Sequence, residues 1–243
     1  MGQVAVRPAK WARLAIGARP CQSAASMASH SPPLVIAVDG PAASGKGTIA
    51  RALAKHYGLP HMDTGVLYRA VALTLFRFGG DLAQEFEAVR ACEGVAQVDP
   101  SDPELRSEIV SSIASRISAY PGVRSALLER QRGFAGRRDG AVLDGRDIGT
   151  VIAPDATAKL FVTASPEVRA RRRVAELLKR GMPAHYEDVL IDIRARDARD
   201  SGRDAAPLAK AADADLLDTS SMSIEEAIEA AIALVDARIA ADS

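Results

Sequence analysis

Runs of apolar residues separated by helical patterns extend along most of the chain. Residues 34–38 are apolar at every position, without alternation, as expected for a strand that is covered on both faces. Further buried strands are predicted within 141–150, at 159–164 and within 214–220, and the segments between them have helical patterns. The alternation predicts an α/β fold, a parallel sheet with helices on both faces.

One long stretch departs from this alternation, from about residue 81 to residue 136. Its apolar pattern is helical in three pieces, which are interrupted near residues 98–104 and at residues 120–122 by Pro and Gly. The stretch has no strand-like run. We therefore predict an inserted helical segment.

The glycine-rich turn after the first strand carries the most specific chemistry. Gly40, Gly45 and Lys46 match the phosphate-binding pattern G-x-x-x-x-G-K. Gly47 takes the place of the usual Ser or Thr, and Thr48 supplies a hydroxyl one residue later. An ordinary glycine turn with an exposed lysine is the alternative. Because strand, loop, lysine, hydroxyl and helix all follow in order, the pattern favours phosphate binding.

A charged turn follows the second buried strand. Asp144, Arg146 and Asp147 stand just beyond its apolar residues. In a parallel sheet, ligands collect outside the carboxyl ends of the strands, so we expect these side chains beside the phosphate-binding loop. A surface Arg–Asp pair is the alternative.

A cluster of basic residues lies in the helix predicted over about 185–203. Arg196, Arg199 and Arg203 recur at spacings of three and four, which places them on one face of a helix. Asp200 stands beside them, so salt bridges such as Arg196 with Asp200 are the plain alternative. Exposed pairs are worth only about 0 to 1 kcal/mol, and three aligned guanidiniums therefore favour an anionic ligand.

Composition narrows the class of protein. The 31 basic side chains balance the 31 acidic ones, and only 4% of residues are aromatic, which argues against extended binding to nucleic acid. Two cysteines make no disulfide framework and fit a reducing compartment. No apolar run approaches the roughly 18 residues of a membrane span. We expect a cytoplasmic protein.

Residues 1–33 differ from the rest, since they are rich in Ala, Arg and Ser and show no sustained period. A transit peptide is one interpretation. The alternative, which we favour, is a disordered extension or a start assigned too early, with Met27 the true beginning, because nothing in the segment could build a core. The folded domain is predicted over 34–243.

Five motifs occur in the order typical of one known family: GPAASGKGT, DTGVLYR, YPGVRSALLERQRGF, DGRDIGT and RARDARDSGR. From about Leu34 to its last helix, the chain resembles the bacterial cytidylate kinases, which are P-loop nucleoside monophosphate kinases. Larger members carry strands in the inserted segment, and residues 81–106 are too few for them. The resemblance implies ATP-dependent phosphorylation of CMP and dCMP to CDP and dCDP, with Mg²⁺ as cofactor. We expect a monomer with no nucleic-acid or membrane partner.

The resemblance also implies a division of the domain and the residues of the site. The core would comprise 34–64, 137–170 and 204–243, the acceptor-binding segment 65–136, and the lid and arginine-rich helices 171–203. The loop that holds the ATP phosphates would comprise Gly40, Pro41, Ala42, Ala43, Ser44, Gly45, Lys46, Gly47 and Thr48. Mg²⁺ would lie near Thr48 and, through water, Asp144.

The remaining implied residues surround the acceptor nucleotide. Arg69, Arg146 and Arg203 would bind its phosphate, and Arg196 and Asp200 its ribose. The residues implied around the nucleoside are Thr64, Ser115, Arg124 and Asp147. Catalysis itself would depend on Lys46, Arg146 and Arg203.

Two other classes of function remain compatible with the loop alone. A kinase for another acceptor, such as UMP or AMP, would keep the loop and change the residues that recognise the base. A nucleotide-binding switch that does not transfer phosphate normally carries an Asn or Thr, Lys, x, Asp signature for guanine, which the sequence lacks.

Overall fold

The computed structural model describes residues 33–241. Over that range a five-stranded sheet has the order β2-β3-β1-β4-β5, and each neighbouring pair is parallel. The strands are β1 (Val35–Asp39), β2 (His61–Asp63), β3 (Ala141–Gly145), β4 (Ala158–Thr163) and β5 (Asp215–Asp218). The predicted parallel α/β fold is confirmed. The prediction for residues 1–33 lies, except for Pro33, outside the described residues.

Helices connect the strands and cover both faces of the sheet. Those of the described chain are α1 (Lys46–Tyr57), α2 (Thr64–Arg77), α3 (Glu85–Ala91), α4 (Glu108–Ile117), α5 (Pro121–Ala135), α6 (Pro166–Lys179), α7 (Tyr186–Ser201) and α8 (Ile224–Ala241). None is both long and apolar enough to cross a membrane, a finding that concerns residues 33–241. Short 3₁₀ turns follow α3 and precede α4, and a π-helical turn, Ile148–Ile152, follows β3.

The central strand shows why the apolar runs form a sheet covered on both sides. Ile36 and Val38 of β1 are buried against α1 and α8, whereas Ala37 between them is buried on the opposite face with Leu143 of β3 and Ala135 of α5. Successive side chains of a strand point to opposite faces, so a strand buried on both faces must be apolar at every position.

The inserted segment has a hydrophobic core of its own. Helices α2 to α5 meet around buried residues that include Val71, Val95, Ile117 and Val123. No strand lies within residues 81–136, and the helices are interrupted between Val98 and Asp102 and again before Pro121. The predicted helical insert is therefore confirmed.

Candidate functional site

The turn between β1 and α1 has a backbone that only glycine adopts readily at two positions. Gly40 has φ +150°, and a Cβ there would lie 2.0 Å from the carbonyl oxygen of Val162. Gly45 has φ +90° and precedes α1, whose first turn receives no hydrogen bond from a capping side chain. The Thr48 amide donates to the Gly45 carbonyl oxygen at 3.0 Å, but no side chain caps the start of the helix, where the helix dipole favours an anionic ligand.

Lys46 lies over this loop. Its ammonium donates to the Pro41 carbonyl oxygen at 3.4 Å. Burial, and to a lesser extent the nearby Arg146, lowers the pKa of Lys46 to about 7. An anion bound beside the lysine would reverse this effect and restore its charge.

A cavity of about 340 Å³ opens beside the loop, at the carboxyl edge of β2 and β3. All the residues that the sequence assigns to the acceptor nucleotide line it: Thr64, Arg69, Ser115, Arg124, Arg146, Asp147, Arg196, Asp200 and Arg203. Lys46 and Asp144 line it as well, together with Ala42, Ala43 and Gly47 of the loop. Residues that are up to 161 positions apart in the sequence, from Ala42 to Arg203, therefore meet at one place.

Ion pairs orient the charged side chains of the cavity. Arg146 Nε lies 2.8 Å from Asp200 Oδ2, and Arg124 pairs with Asp147. Burial would raise the pKa of Asp200, but Arg146 and Arg196 hold it below its ordinary value. Burial raises the pKa of Asp147, and Arg124 offsets part of that rise.

Four buried polar atoms of the lining have no hydrogen-bond partner within residues 33–241. They are Arg69 Nε, Ser115 Oγ, Arg196 Nε and Arg203 Nη2. Burial also lowers the pKa of Arg196 to about 10. An unpaired buried donor costs about 1 to 3 kcal/mol, so such a group is best explained by a ligand that accepts hydrogen bonds. Three guanidinium donors among the four indicate an anionic, oxygen-rich ligand such as a phosphate ester.

Oxygen donors suited to Mg²⁺ lie where the loop meets the cavity. A Cβ on Gly47 would lie 3.8 and 4.0 Å from the carboxylate oxygens of Asp144, so this carboxylate adjoins the loop. Thr48 is an exposed residue of the first turn of α1, and its hydroxyl accepts from Arg51 Nη2 at 3.4 Å. The described residues form no group of three or more His, Cys, Asp or Glu that could hold a metal. This set fits Mg²⁺, which commonly takes one or two protein oxygens and completes its shell with phosphates and water.

The arginine-rich helix is shorter than predicted, and one of its arginines lies outside the site. Helix α7 ends at Ser201, so Arg203 reaches the cavity from the segment after the helix. Arg199 is exposed and does not line the cavity. The prediction that Arg196, Arg199 and Arg203 share one ligand-facing side of a helix is therefore wrong, because the helix ends before Arg203 and its packing leaves Arg199 exposed. Asp200 pairs with Arg146 of another element.

The sequence did not point to several other residues of the lining. Asp63, Tyr68, Ser118 and Glu176 belong to it. Asp63 accepts from Arg69 at 3.0 Å and caps α2 by accepting from the Val66 amide. In the sequence, a role as the N-cap of the following helix was already enough to explain Asp63. Asp63 could have been assigned to the site from its location at the end of a strand. However, β2 has only three residues and gives no strand pattern in the sequence.

The fold and this site together define a class, the P-loop nucleoside monophosphate kinases: a parallel sheet, a phosphate-binding loop before the first helix and an arginine-lined cavity next to it. A family model described as cytidylate kinase matches residues 36–237. The chain belongs to the cytidylate kinase family.

Individual relatives agree with this assignment. A cytidylate kinase of Xanthobacter autotrophicus (strain ATCC BAA-1158 / Py2) is 58% identical over 207 residues, which cover 84% of this chain and 98% of that protein. One of Rhodopseudomonas palustris (strain HaA2) is 55% identical over 204 residues, 84% of this chain and 96% of that protein. Among solved structures, an uncharacterized protein from Eubacterium ventriosum ATCC 27560 has TM-score 0.50 at 15% identity, covering 84% of this chain and 98% of its own. That likeness concerns the fold alone.

Proposed function

We propose that the chain transfers the γ-phosphoryl group of ATP to the phosphate of CMP or dCMP, which yields ADP and CDP or dCDP. The observation that carries the proposal is the cavity beside the phosphate-binding loop, where unpaired guanidinium donors of Arg69, Arg196 and Arg203 surround a space for an anion. Membership of the cytidylate kinase family supports the same reaction.

The chemistry needs alignment and charge neutralisation more than acid–base catalysis. The second pKa of a phosphate monoester is about 6, so the acceptor oxygen is ionised at neutral pH and attacks without a general base. That oxygen bonds to the γ-phosphorus while the bond between the γ-phosphorus and the β–γ bridging oxygen breaks. Lys46 and residues 40–48 would hold the donor phosphates, and Arg69, Arg146 and Arg203 the acceptor phosphate.

Thr48 and, through water, Asp144 would hold Mg²⁺. When bound, the ion neutralises the charge of the donor phosphates. The chain's own contribution there is to fix the Asp144 carboxylate, which His61 Nε2 approaches at 2.8 Å, and the backbone of Asp144, whose carbonyl accepts from the Thr64 hydroxyl at 2.8 Å.

Recognition of cytosine would depend on Arg124 and Asp147. Cytosine presents an acceptor at N3 and a donor at its 4-amino group, whereas uracil presents a donor at N3 and an acceptor at O4. Arg124 can only donate, and an ionised Asp147 only accepts, so the pair matches cytosine at both positions. Thr64 and Ser115 would contact the nucleoside, and Arg196 and Asp200 the ribose.

The proposal extends to the division of the domain. Residues 65–136 would bind the acceptor, residues 171–203 would form the lid, and the rest would be the core. In support, the acceptor segment has its own hydrophobic cluster, and α6 and α7 share a smaller one around Ala170, Leu190 and Ile193. We also propose a cytoplasmic monomer that acts on free nucleotides and binds no nucleic acid.

A coupled assay of ATP consumption tests the proposal, with CMP, dCMP, UMP and AMP as acceptors at equal concentration. CMP and dCMP should be phosphorylated with the highest kcat/KM, and the product should appear as the diphosphate. A preference for AMP or UMP would assign the chain another acceptor. ATP binding without turnover on any acceptor would favour a switch that does not transfer phosphate.

A further inference from the structure

Asp39 is a buried acid that the proposed reaction does not use. It ends β1, directly before Gly40, and is not part of the cavity lining. Its two carboxylate oxygens accept from two successive backbone amides, Oδ1 from Ile148 and Oδ2 from Gly149, each at 2.8 Å. A single side chain thereby binds a segment that is 109 and 110 positions away along the chain.

The segment that Asp39 holds comes directly after two residues of the cavity. Arg146 and Asp147 lie between Gly145, which pairs with Asp39 across β1 and β3, and the amide of Ile148. The backbone that carries them is therefore fixed at both ends to Asp39. Because Asp39 also adjoins Gly40, it joins the loop for the donor phosphates to the turn that recognises the acceptor.

Stability alone gives a poor reason for a carboxylate at this position. The direct hydrogen-bond partners of Asp39 are the two amides, and burial raises its pKa to about 6 even though both amides lower it. Asp147, a second carboxylate close by, contributes to the raised pKa. A buried carboxylate that is costly to ionise, and that binds both amides of a turn in the site, indicates a functional role.

We propose that Asp39 is a positioning residue, which holds Asp147 and Arg146 at the correct place relative to the phosphate-binding loop and thereby maintains the preference for cytosine. This inference rests on the proposed function. It assigns Asp39 no contact with either nucleotide. The effect reaches the acceptor through the backbone of residues 145–149.

The test is Asp39→Asn, which keeps the size of the side chain but replaces one acceptor oxygen by an N–H donor. That donor would face a backbone N–H, so one hydrogen bond is lost and the turn moves. We expect the ratio of kcat/KM for CMP over UMP to fall about tenfold, as for one lost hydrogen bond to a charged group. The Kd of CMP, measured by calorimetry without ATP, should rise about as much, and the KM of ATP should change less than about threefold.

Two further variants separate positioning from a loss of stability. Val235→Ala opens a cavity at a buried position of α8, on the face of the sheet that packs against α1, and should lower Tm while leaving the CMP over UMP ratio unchanged. Asp39→Ser places no amide opposite the turn, so it serves if the Asn variant does not fold, and it should lower the ratio as well. In a double-mutant cycle, adding Asp39→Asn to Arg124→Met should lower the ratio little further, because both act on the same recognition.

The outcomes distinguish this inference from the proposed function. If the wild type shows no preference for CMP, the proposed function fails first. If the wild type prefers CMP but the Asp39 variants keep its ratio and its CMP Kd while Tm falls as in Val235→Ala, Asp39 is only structural and the inference is wrong. A rise in the KM of ATP with unchanged CMP binding would also overturn it, because Asp39 would then support the donor loop alone.

Discussion

The most informative single substitution is Arg124→Met, which removes the donor proposed to face cytosine N3. The Arg124 side chain is 10% exposed, pairs with Asp147 and donates to the Ser118 carbonyl oxygen at 3.4 Å. Met keeps an unbranched apolar stem like that of Arg but lacks the guanidinium and its N–H donors. The substitution therefore leaves cytosine N3 and the Asp147 carboxylate without their partner.

The size of the effect follows from these contacts. A buried polar group left unpaired costs about 1 to 3 kcal/mol, and more if it is charged, so the two mismatches of uracil predict a wild-type preference for CMP of about 10² or greater. In the variant, the burial that raises the pKa of Asp147 is no longer offset by Arg124, so its carboxyl group is more often protonated. A protonated carboxyl can donate to uracil O4, and discrimination should fall further.

The assay is the kcat/KM for CMP and UMP in wild type and variant. The value for CMP should fall about 10² and that for UMP less than about tenfold, which brings the ratio toward one. Arg130→Met is the matched control, since Arg130 is exposed on the same helix, and it should change neither value. Equal losses for both substrates, or equal use of CMP and UMP by the wild type, would refute the assignment of Arg124 and Asp147 to the base.

Three other predictions follow from the same structure. Lys46→Ala should lower kcat about 10² to 10³ or more while the Kd of CMP changes little, because the lysine is proposed to hold the donor phosphates. Turnover within a few fold of wild type would make the loop merely structural. Arg203→Met should lower kcat/KM strongly and Tm only slightly. The direct partners of this guanidinium are the carbonyl oxygens of Asp200 and Ser118, and its Nη2 is unpaired. A large fall in Tm with normal turnover would contradict this. The pKa of Asp39 is raised from 3.8 to about 6, so the folded state binds the proton of this carboxyl group more tightly than the unfolded state does. The protonated Asp39 therefore stabilises the folded state below about pH 4, and this stabilisation is lost as pH rises through 6. From pH 4 to pH 7, the unfolding free energy of the wild type should accordingly fall by about 2 to 3 kcal/mol relative to that of Asp39→Asn. A difference that stays constant with pH would show that Asp39 titrates normally.

The features that the sequence determined by itself are those set by local physics. A phosphate-binding loop needs particular backbone angles at Gly40 and Gly45, and that requirement appears directly as glycine spacing. A strand covered on both faces needs apolar residues without interruption, which identified β1 before any contact was known. The family motifs extend the same principle, because four of the five keep several residues of the cavity within one short segment, and the fifth contributes Arg124.

Only the tertiary structure determined which residues line the cavity and which side chains pair, because both depend on how distant segments pack. Helical spacing placed Arg196 and Arg199 close together on α7, but only the packing of that helix exposes Arg199 and leaves Arg196 in the cavity. The partner of Asp200 is Arg146, 54 positions away, although Arg196 is only four residues from it. Spacing along one helix specifies neither where the helix ends nor which element lies against it.

Asp39 shows most clearly what cannot be predicted from the sequence. In the sequence it is an acid between an apolar run and a glycine, a position with several ordinary explanations. Its two amide partners exist only because β1 and β3 are adjacent in the sheet and the chain turns just beyond β3. Backbone amides carry no side-chain identity, so a bond from a carboxylate to an amide leaves no pattern at the partner's position, and only the folded chain brings the two together.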